Sequence, residues 1–145
     1  MPQAAIGVDI LVGFPGEGEK EFDNSYTLIA ELPVSYLHVF PFSARPGTAA
    51  AELPGRVQPD ILKARCDRMR RLGQKKRTNF YRKFIGKKMP VLIEAKRDAA
   101  SGLLKGISSN YVPVFIDAGD ELKNTIIDVK IERLEGSRLF GNFTG

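Results

Sequence analysis

The fold of this chain is decided by residues 6–17, which read Ile6-Gly7-Val8-Asp9-Ile10-Leu11-Val12-Gly13-Phe14-Pro15-Gly16-Glu17. The first eight residues form a short, mostly apolar run closed by glycine, a pattern typical of a strand buried on both faces of a parallel sheet. A Gly/Pro turn follows. The acidic residues after it favour the positive end of a helix dipole. The segment therefore predicts a strand, a tight turn and the start of a helix.

A second strand at short distance completes a βαβ unit. Phe22, Tyr26 and Ile29 recur at helical spacing, and Leu32-Pro33 ends the helix. Residues 36–40 predict the next strand, which Pro41 stops. A strand–turn–helix joint presents backbone N–H groups at the edge of a sheet where α/β enzymes bind ligands. The joint is thus a candidate ligand site, although a tight turn without a ligand explains the pattern equally well.

The charges of the chain are concentrated in one stretch. Residues 1–55 carry two basic and seven acidic side chains, residues 56–88 carry thirteen basic and two acidic, and residues 89–145 carry seven and eight. A basic block of this kind indicates a polyanionic partner, most commonly nucleic acid. A solvated helix face is the alternative. The chain contains no apolar run of about 18 residues that would span a membrane and no secretion signal, so we expect a cytoplasmic protein without a membrane partner.

The basic block is predicted to be a helix. Residues 43–58 resemble a loop, and Pro59 suits a first helical turn. Gly73 is expected to weaken the helix. Its apolar stripe is predicted at Ile61, Leu62, Met69, Leu72, Phe80 and Phe84. The basic residues are expected to surround that stripe and face solvent: Arg65, Arg68, Arg70, Arg71, Lys75, Lys76, Arg77, Arg82 and Lys83.

After Gly86 the pattern changes to alternating apolar and polar residues. Strands are predicted over 89–95, 103–108, 111–117, 125–134 and 138–144, separated by turns over 98–102, 118–120 and 135–137. Five short strands in fewer than 60 residues favour a small closed barrel of the OB type, because closure removes exposed sheet edges. The predicted fold class is therefore α+β.

Two motifs in this order resemble one enzyme family. Residues 9–17 resemble the Asp-x-Ile-x-Gly-Phe-Pro-Gly-Glu-Thr signature of radical-SAM methylthiotransferases. Residues 37–48, from Leu37-His38 to Pro46-Gly47-Thr48, resemble the strand and loop that follow in that family. Gly18 stands in place of the family's threonine and removes a helix-capping hydroxyl. Phe42 stands in place of the commoner tyrosine.

The resemblance implies a domain organisation. Residues 1–57 would be the C-terminal end of a radical-SAM (β/α) barrel, residues 58–85 a basic linker helix, and residues 86–145 a five-stranded TRAM barrel. The barrel end would form the rim of an S-adenosylmethionine pocket. The implied cofactor-binding residues are Asp9, Gly13, Pro15, Gly16, Glu17, Phe42, Ser43 and Arg45. For Arg45, a salt bridge on the loop surface is nearly as good an explanation.

The chain lacks the cysteines that the family's chemistry requires. The resemblance implies two [4Fe–4S] clusters and S-adenosylmethionine in a full-length parent enzyme, and each cluster needs cysteine thiolates. Cys66 is the one cysteine in the sequence. We therefore expect this chain to be a piece of a longer enzyme, to contain no catalytic or metal-binding residue, to bind none of these cofactors and to be inactive alone.

Residues 106–114 resemble the Gly-x-Thr-x-Asn-Tyr-x-x-Val segment of TRAM domains, which are small RNA-binding barrels. Tyr111 offers a ring for base stacking and Asn110 an amide for hydrogen bonds. The alternative is that Tyr111 packs inside the barrel while Asn110 holds a turn. The predicted RNA-binding residues are Arg70, Arg71, Lys75, Lys76, Lys87, Lys88, Lys105, Asn110 and Tyr111.

Two further residues have more than one interpretation. His38 is interpreted as a strand residue rather than a catalyst. Cys66 lies among positive charges that lower the pKa of a thiol, but a structural or incidental thiol is the preferred interpretation. Neither residue enters the predicted site.

The resemblance favours one substrate. Within the family, Leu37-His38-Val39-Phe40-Pro41 is most similar to the branch that adds a methylthio group at C2 of threonylcarbamoyladenosine beside the tRNA anticodon. Two alternatives keep the chemistry: methylthiolation of isopentenyladenosine in tRNA, or of an aspartate in a ribosomal protein. A third is a non-enzymatic RNA-binding module. The expected partner is the anticodon arm of tRNA, and the expected state is a monomer.

Overall fold

The computed structural model describes residues 3–144, and these form two compact units. Residues 6–76 form one unit. Residues from Arg77 onward, together with the N-terminal residues up to Ala5, form the other. We call them the βαβ unit and the barrel unit. No helix in the described part of the chain is both long enough and apolar enough to cross a membrane.

The βαβ unit contains two parallel strands and the helices that follow them. Its elements are β1 (Gly7–Val12), α1 (Glu19–Glu31), β2 (Tyr36–Pro41), the one-turn α2 (Ala49–Glu52) and the first part of α3 (Pro59–Arg82). β1 and β2 pair in parallel from Gly7↔Tyr36 to Val12↔Pro41. Its core consists of Ile10, Val12, Phe22, Ile29, Leu37, Cys66, Met69 and Leu72. The predicted βαβ unit is confirmed.

One face of this sheet is open, and here the prediction of a strand buried on both faces was wrong. Ile10 and Val12 are buried, whereas Leu11 between them is 51% exposed. Successive side chains of a strand point to opposite faces. The core of this unit covers only the face that carries Ile10 and Val12. The apolar run therefore lines a core on one side and an accessible surface on the other.

Two details of the helices differ from the predictions. Residues 43–58 include α2, because Ala49-Ala50-Ala51 are strong helix formers that follow Thr48. α3 continues through Gly73, where an added Cβ would lie 3.2 Å from the Cβ of Leu37. The glycine thus permits close packing of helix on strand. The predicted stripe is also wrong at Ile61, which is 46% exposed.

The barrel unit is a closed five-stranded barrel, as predicted. Its strands are β3 (Lys88–Arg97), β4 (Leu104–Ser108), β5 (Pro113–Ile116), β6 (Ile126–Glu135) and β7 (Arg138–Phe143), closed in the order β3-β4-β5-β7-β6. β5 and β7 are parallel, and the other neighbours are antiparallel. A 3₁₀ turn spans Asp120–Leu122. Phe80, Tyr81 and Phe84 from the end of α3 and the residues after it pack into the barrel core.

The strand predicted over 111–117 begins later than expected. Tyr111 has a φ of 60°, and its N–H donates to the carbonyl of Ser108 at 2.9 Å. The hydroxyl oxygen of Ser108 accepts a hydrogen bond from the N–H of Val112 at 3.0 Å. Residues 108–112 therefore form a tight turn, which removes Tyr111 from the ladder and places it at the tip of the β4–β5 connection.

Candidate functional site

The turn after β1 is held in one conformation by backbone hydrogen bonds. Gly13 and Gly16 have φ values of 82° and 88°, which residues with a Cβ rarely adopt. The N–H of Gly16 donates to the carbonyl of Gly55 at 2.8 Å, and the N–H of Glu17 donates to that of Phe14 at 2.9 Å. Pro15 is buried in the turn. The loop is thus a rigid connection at the carboxyl end of β1.

The carboxylate of Glu17 stabilises this turn from inside the protein. Its Oε2 accepts a hydrogen bond from the N–H of Gly13 at 3.1 Å. Its Oε1 accepts from Nη1 of Arg65 at 2.9 Å, and the same nitrogen donates to the carbonyl of Glu17 at 2.8 Å. The two side chains are 8% and 13% exposed. Glu17, predicted at the cofactor edge, therefore has its carboxylate oriented towards Gly13 and Arg65.

Arg65 is the residue that the sequence analysis placed wrongly. It was expected to face solvent with the other basic residues, yet it is 7% exposed. Its Nη2 donates to Glu19 at 3.3 Å, and its guanidinium lies 5.5 Å from the ring centre of Phe22. Burial is tolerated because the charge is paired. The burial of Arg65 could have been inferred from helical spacing, because position 65 lies on the same helix face as Met69 and Leu72.

The open face of the sheet brings together residues from both strands. Asp9 and Leu11 of β1 are exposed, and they pair in register with His38 and Phe40 of β2, which are also exposed. The ring of Tyr36 lies edge-on to that of His38 at 5.3 Å. Asp9 is not buried, so it needs no internal partner. A carboxylate and an imidazole thus lie side by side on an otherwise apolar surface.

This face continues into a hollow of about 530 Å³. Such a volume is within the range of small-molecule sites. Three predicted cofactor-binding residues line it, Phe42, Ser43 and Arg45, whereas the other five do not. The remaining lining residues are Leu11, Phe14, Phe40, Pro41, Thr48 and Ala50. The hollow is therefore a mainly apolar and aromatic surface with two hydroxyls, those of Ser43 and Thr48, and the guanidinium of Arg45 from the loop after β2.

The loop around the hollow is ordered by local contacts. The N–H of Phe42 donates to the carbonyl of Val12 at 2.7 Å, and the rings of Phe42 and Phe14 meet edge-on at 5.5 Å. The hydroxyl of Thr48 donates to the carbonyl of Arg45 at 2.8 Å. Within residues 3–144, the guanidinium of Arg45 has no ion-pair or hydrogen-bond partner. The salt bridge considered as an alternative for Arg45 is thus absent from that part of the chain.

The predicted RNA-binding residues of α3 differ in their availability. Arg70 pairs with Asp67 at 3.3 Å. The ammonium of Lys76 donates to the carbonyls of Ala30 and Leu32 at 3.0 and 2.8 Å and so caps the end of α1. Partial burial lowers its pKa. Arg71 and Lys75 are exposed and make no ion pair within the described residues.

The predicted lysines of the barrel unit are exposed or half-buried at its surface. Lys88 pairs with Asp128 at 3.3 Å, and Lys105 pairs with Glu94 at 3.2 Å. The ammonium of Lys87 lies 5.6 Å from the ring centre of Phe84. Lys88 also lies directly opposite Lys130 in the β3–β6 ladder. Like charges in such a pair are destabilising unless an anion compensates them.

Asn110 and Tyr111 have different roles in the β4–β5 turn. The Oδ1 of Asn110 accepts from the hydroxyl of Ser108 at 2.6 Å, and its Nδ2 donates to the carbonyl of Gln3 at 2.9 Å. Asn110 therefore holds the turn. Tyr111 is 80% exposed, so its ring does not pack in the barrel and both of its faces are accessible.

The cysteine and the remaining titratable groups show no metal centre. Cys66 is buried in the core of the βαβ unit, and burial raises the pKa of its thiol. Neighbouring positive charge does not activate it, because the desolvation effect is larger. No group of three or more His, Cys, Asp or Glu side chains suited to a metal ion occurs in the described part of the chain.

Comparison with curated proteins finds similar chains. A threonylcarbamoyladenosine tRNA methylthiotransferase (MtaB) of Aquifex aeolicus is 41% identical over 92 residues, 63% of this chain and 22% of that protein. The corresponding protein of Rickettsia prowazekii is 38% identical over 80% of the chain and 26% of the relative. A tRNA-2-methylthio-N(6)-dimethylallyladenosine synthase of Zymomonas mobilis is 34% identical over 95% of the chain and 32% of the relative. The chain therefore spans about a fifth to a third of the length of these relatives. No protein-family model matches it.

Proposed function

The chain is homologous to the tRNA methylthiotransferases, of which it matches a C-terminal part, and on this premise we propose that the protein acts in tRNA modification as a radical-SAM transferase. The proposal is supported by two features that occur in the same chain. One is an apolar hollow at the carboxyl end of a parallel sheet, and the other is a barrel with exposed cations and an exposed tyrosine. One feature suits a nucleoside cofactor and the other suits RNA. Their combination fits an enzyme that modifies a nucleotide.

The βαβ unit would supply the rim of the S-adenosylmethionine pocket. The hollow fits an adenosine, because Leu11, Phe40 and Phe42 offer apolar and aromatic surface while Ser43 and Arg45 offer polar groups. Asp9 lies on the same open face. Gly13, Pro15, Gly16 and Glu17 would act by fixing the shape of the turn. When bound, the cofactor supplies a radical and a methyl group, and these residues hold and orient it.

The described residues do not fit an iron–sulfur cluster. Three thiolates are required to hold a [4Fe–4S] cluster in this family, and the one cysteine, Cys66, is buried among apolar side chains. The two clusters of the parent enzyme would therefore be held by residues outside this sequence. We expect this chain alone to bind no cluster and to be catalytically inactive.

The barrel unit would act as a TRAM domain that binds the anticodon arm. Its closed five-stranded order agrees with an OB-type barrel. Lys87 of the barrel unit is accessible to phosphates, as are Arg71 and Lys75 on the α3 segment of the βαβ unit. Tyr111 is available for stacking, whereas Lys76 and Asn110 are held by internal hydrogen bonds and would contribute indirectly.

The substrate is proposed to be threonylcarbamoyladenosine. The relatives named for this substrate are 41% and 38% identical to the chain, and the dimethylallyladenosine synthase is 34% identical. The second candidate is therefore a dimethylallyl-type adenosine, supported by coverage of 95% of the chain. The protein would act as a monomer in the cytoplasm.

Nucleoside mass spectrometry of tRNA tests this function. Bulk tRNA from cells that lack the gene should lose the methylthio group from threonylcarbamoyladenosine and keep it on isopentenyladenosine. The opposite result would move the protein to the second candidate. If neither nucleoside changes, the tRNA assignment is wrong and the aspartate of a ribosomal protein becomes the substrate to examine.

A salt titration tests the contribution of the basic helix. Each phosphate neutralised changes the slope of log K against log salt by about 0.9 for duplex and about 0.7 for single strands. The Arg71→Ala/Lys75→Ala variant should reduce the steepness of this slope by the contribution of one or two phosphates. Lys20→Ala in α1 serves as the matched control and should leave the slope unchanged.

A further inference from the structure

Two phenylalanines lie on the outer wall of the barrel rather than in its core. Phe115 lies between Val114 and Ile116, which both point into the core, so its side chain points outward. Phe140 occupies the adjacent position of β7, in register with Phe115, and the ring centres are 5.7 Å apart. Phe115 is nevertheless only 5% exposed.

Two arginines cover these rings. The guanidinium of Arg138 lies 5.0 Å from the ring centre of Phe115, and that of Arg133 lies 4.6 Å from the ring centre of Phe140. Both distances are within the range of cation–π attraction. The outer wall therefore consists of two aromatic rings with a guanidinium over each.

A bulge in β6 places the second arginine. Ile127, Val129 and Ile131 point into the core, and strict alternation would direct Arg133 inward as well. The pairing of β6 with β7 shifts between Ile131 and Arg133, so that Arg133 lies opposite Phe140. A bulge reverses the alternation and re-aims a side chain. The bulge thus brings the guanidinium of Arg133 over the ring of Phe140.

Carboxylates hold the guanidinium groups at their edges. Nε of Arg133 donates to Oε1 of Glu135 at 2.6 Å, and Nη1 of Arg138 donates to Oδ2 of Asp98 at 3.5 Å. The donors of a guanidinium lie in its plane, so these contacts leave the face opposite the ring free. The side chains of Arg133 and Arg138 are 56% and 44% exposed. Each guanidinium therefore lies over a ring on one side and is partly accessible to solvent.

We propose that these two guanidinium planes form a stacking platform for unpaired bases of RNA, a surface that the tRNA-modification function does not by itself assign. The inference rests on the proposed function for the identity of the RNA. Bases stack on arginine planes as they do on aromatic rings. The two arginines are balanced by two carboxylates, and the neighbouring Lys105 is paired with Glu94. The platform thus adds stacking without adding net charge.

Charge balance gives the platform a signature that phosphate contacts lack. Contacts to phosphates release counterions and make affinity depend on salt. Stacking on a charge-balanced surface changes affinity without changing that dependence. A partner recognised through its acidic side chains would again be salt-dependent, so the same measurement separates a base from an acidic protein surface.

The test is the Arg133→Lys/Arg138→Lys variant, which keeps both charges and removes both planes. The probe is an anticodon stem–loop RNA with 2-aminopurine in the loop, titrated at several KCl concentrations. We expect an affinity about tenfold lower, as for the loss of one stacked base, with an unchanged salt slope and loss of the 2-aminopurine quenching. Arg82→Lys, at an exposed arginine that donates a hydrogen bond to Asn79, is the control and should bind like the wild type.

The possible outcomes separate failure of the platform from failure of the proposed tRNA function. Wild-type affinity in the double variant, or a change in the salt slope, overturns the platform while leaving the tRNA function intact. Absence of RNA binding by the wild-type chain overturns the tRNA interaction and the platform with it. If thermal unfolding shows that the double variant is destabilised, Arg133→Lys alone replaces it, and a loss of about threefold is expected because one plane remains.

Discussion

The barrel unit and the βαβ unit differ in how completely they bury the apolar side chains of their strands. Every strand of the barrel has two neighbours, and its inward side chains fill one core. In the βαβ unit, β1 and β2 pair with each other, and their apolar side chains lie on both faces although one core covers only one of them. A closed sheet satisfies its own edges and core. An open parallel sheet normally has both faces covered, so its exposed apolar face indicates a surface suited to a ligand or to further structure.

The largest effect is expected inside the barrel. Leu104 is fully buried, and Leu104→Ala should lower the free energy of unfolding by about 4 kcal/mol because it leaves a cavity. Urea unfolding followed by far-UV circular dichroism measures this. Ile126→Ala, at a position that is 71% exposed on the same barrel, is the control and should change stability by less than about 0.5 kcal/mol. Equal effects of the two would contradict the described core.

The next largest effect is expected at Arg65 in the βαβ unit. Arg65→Ala leaves the carboxylate of Glu17 buried without its cation and should cost about 3 kcal/mol. Faster amide hydrogen exchange at Gly13 and along α1, measured by NMR, would report the loss. Arg68→Ala on the same helix removes an exposed pair with Asp23 and should cost less than about 1 kcal/mol. Unchanged exchange in Arg65→Ala would mean that the turn does not depend on this ion pair.

The sequence predicted elements that follow from periodicity and did not predict details that depend on contacts distant in sequence. The alternation of Ile127, Val129 and Ile131 was sufficient to find β6, and the spacing of Phe22 and Ile29 was sufficient to find α1. The burial of Arg65 depends on Glu17, which is 48 residues away, and no local pattern contains that pairing. Tyr111 was assigned to a strand because the local hydrogen bonds of Ser108 that form its turn leave no signal in the alternation of apolar and polar residues.

The lining of the hollow was likewise anticipated only in part. Phe42, Ser43 and Arg45 line the hollow, because a loop that follows a strand lies at the sheet edge. The aromatic neighbours Phe14 and Phe40 were not among the predicted site residues, because the sequence does not show which apolar side chains of the strand and turn face the hollow. Which residues contact a cofactor or RNA stays a prediction.

A smaller effect is expected at the β3–β4 turn of the barrel. The hydroxyl and N–H of Ser101 donate to the carboxylate of Asp98 at 2.7 and 2.9 Å and hold the pKa of Asp98 below its usual 3.8. A carboxyl with a depressed folded-state pKa contributes stability above its unfolded pKa and loses it as the pH falls through the folded value. Ser101→Ala should raise this pKa, as measured by carboxyl NMR titration. A pKa of Asp98 that does not move would exclude the hydroxyl hydrogen bond of Ser101 as its cause, since the backbone N–H of residue 101 is retained in the variant.

The smallest effect is expected on the open face of the βαβ unit. Leu11→Ala removes a side chain that is 51% exposed and should change stability by less than about 0.5 kcal/mol. Val12→Ala, at the adjacent buried position, should cost several times more. Amide exchange of β2 measures both variants. A loss for Leu11→Ala as large as that for Val12→Ala would mean that the face is covered in solution, and the contrast between the two units would disappear.

The bulge in β6 is the point at which this strand can lose a residue without redirecting the side chains that follow. The pairing shift places one extra residue, Glu132, between Ile131 and Arg133, so its deletion would restore strict alternation and leave Arg133 opposite Phe140 on the outer wall. A deletion between Ile127 and Ile131 would instead turn apolar side chains of the strand out of the core. Among relatives, the loss of one residue in this region should therefore fall at Glu132 or in the Gly136 hairpin, and not earlier in β6.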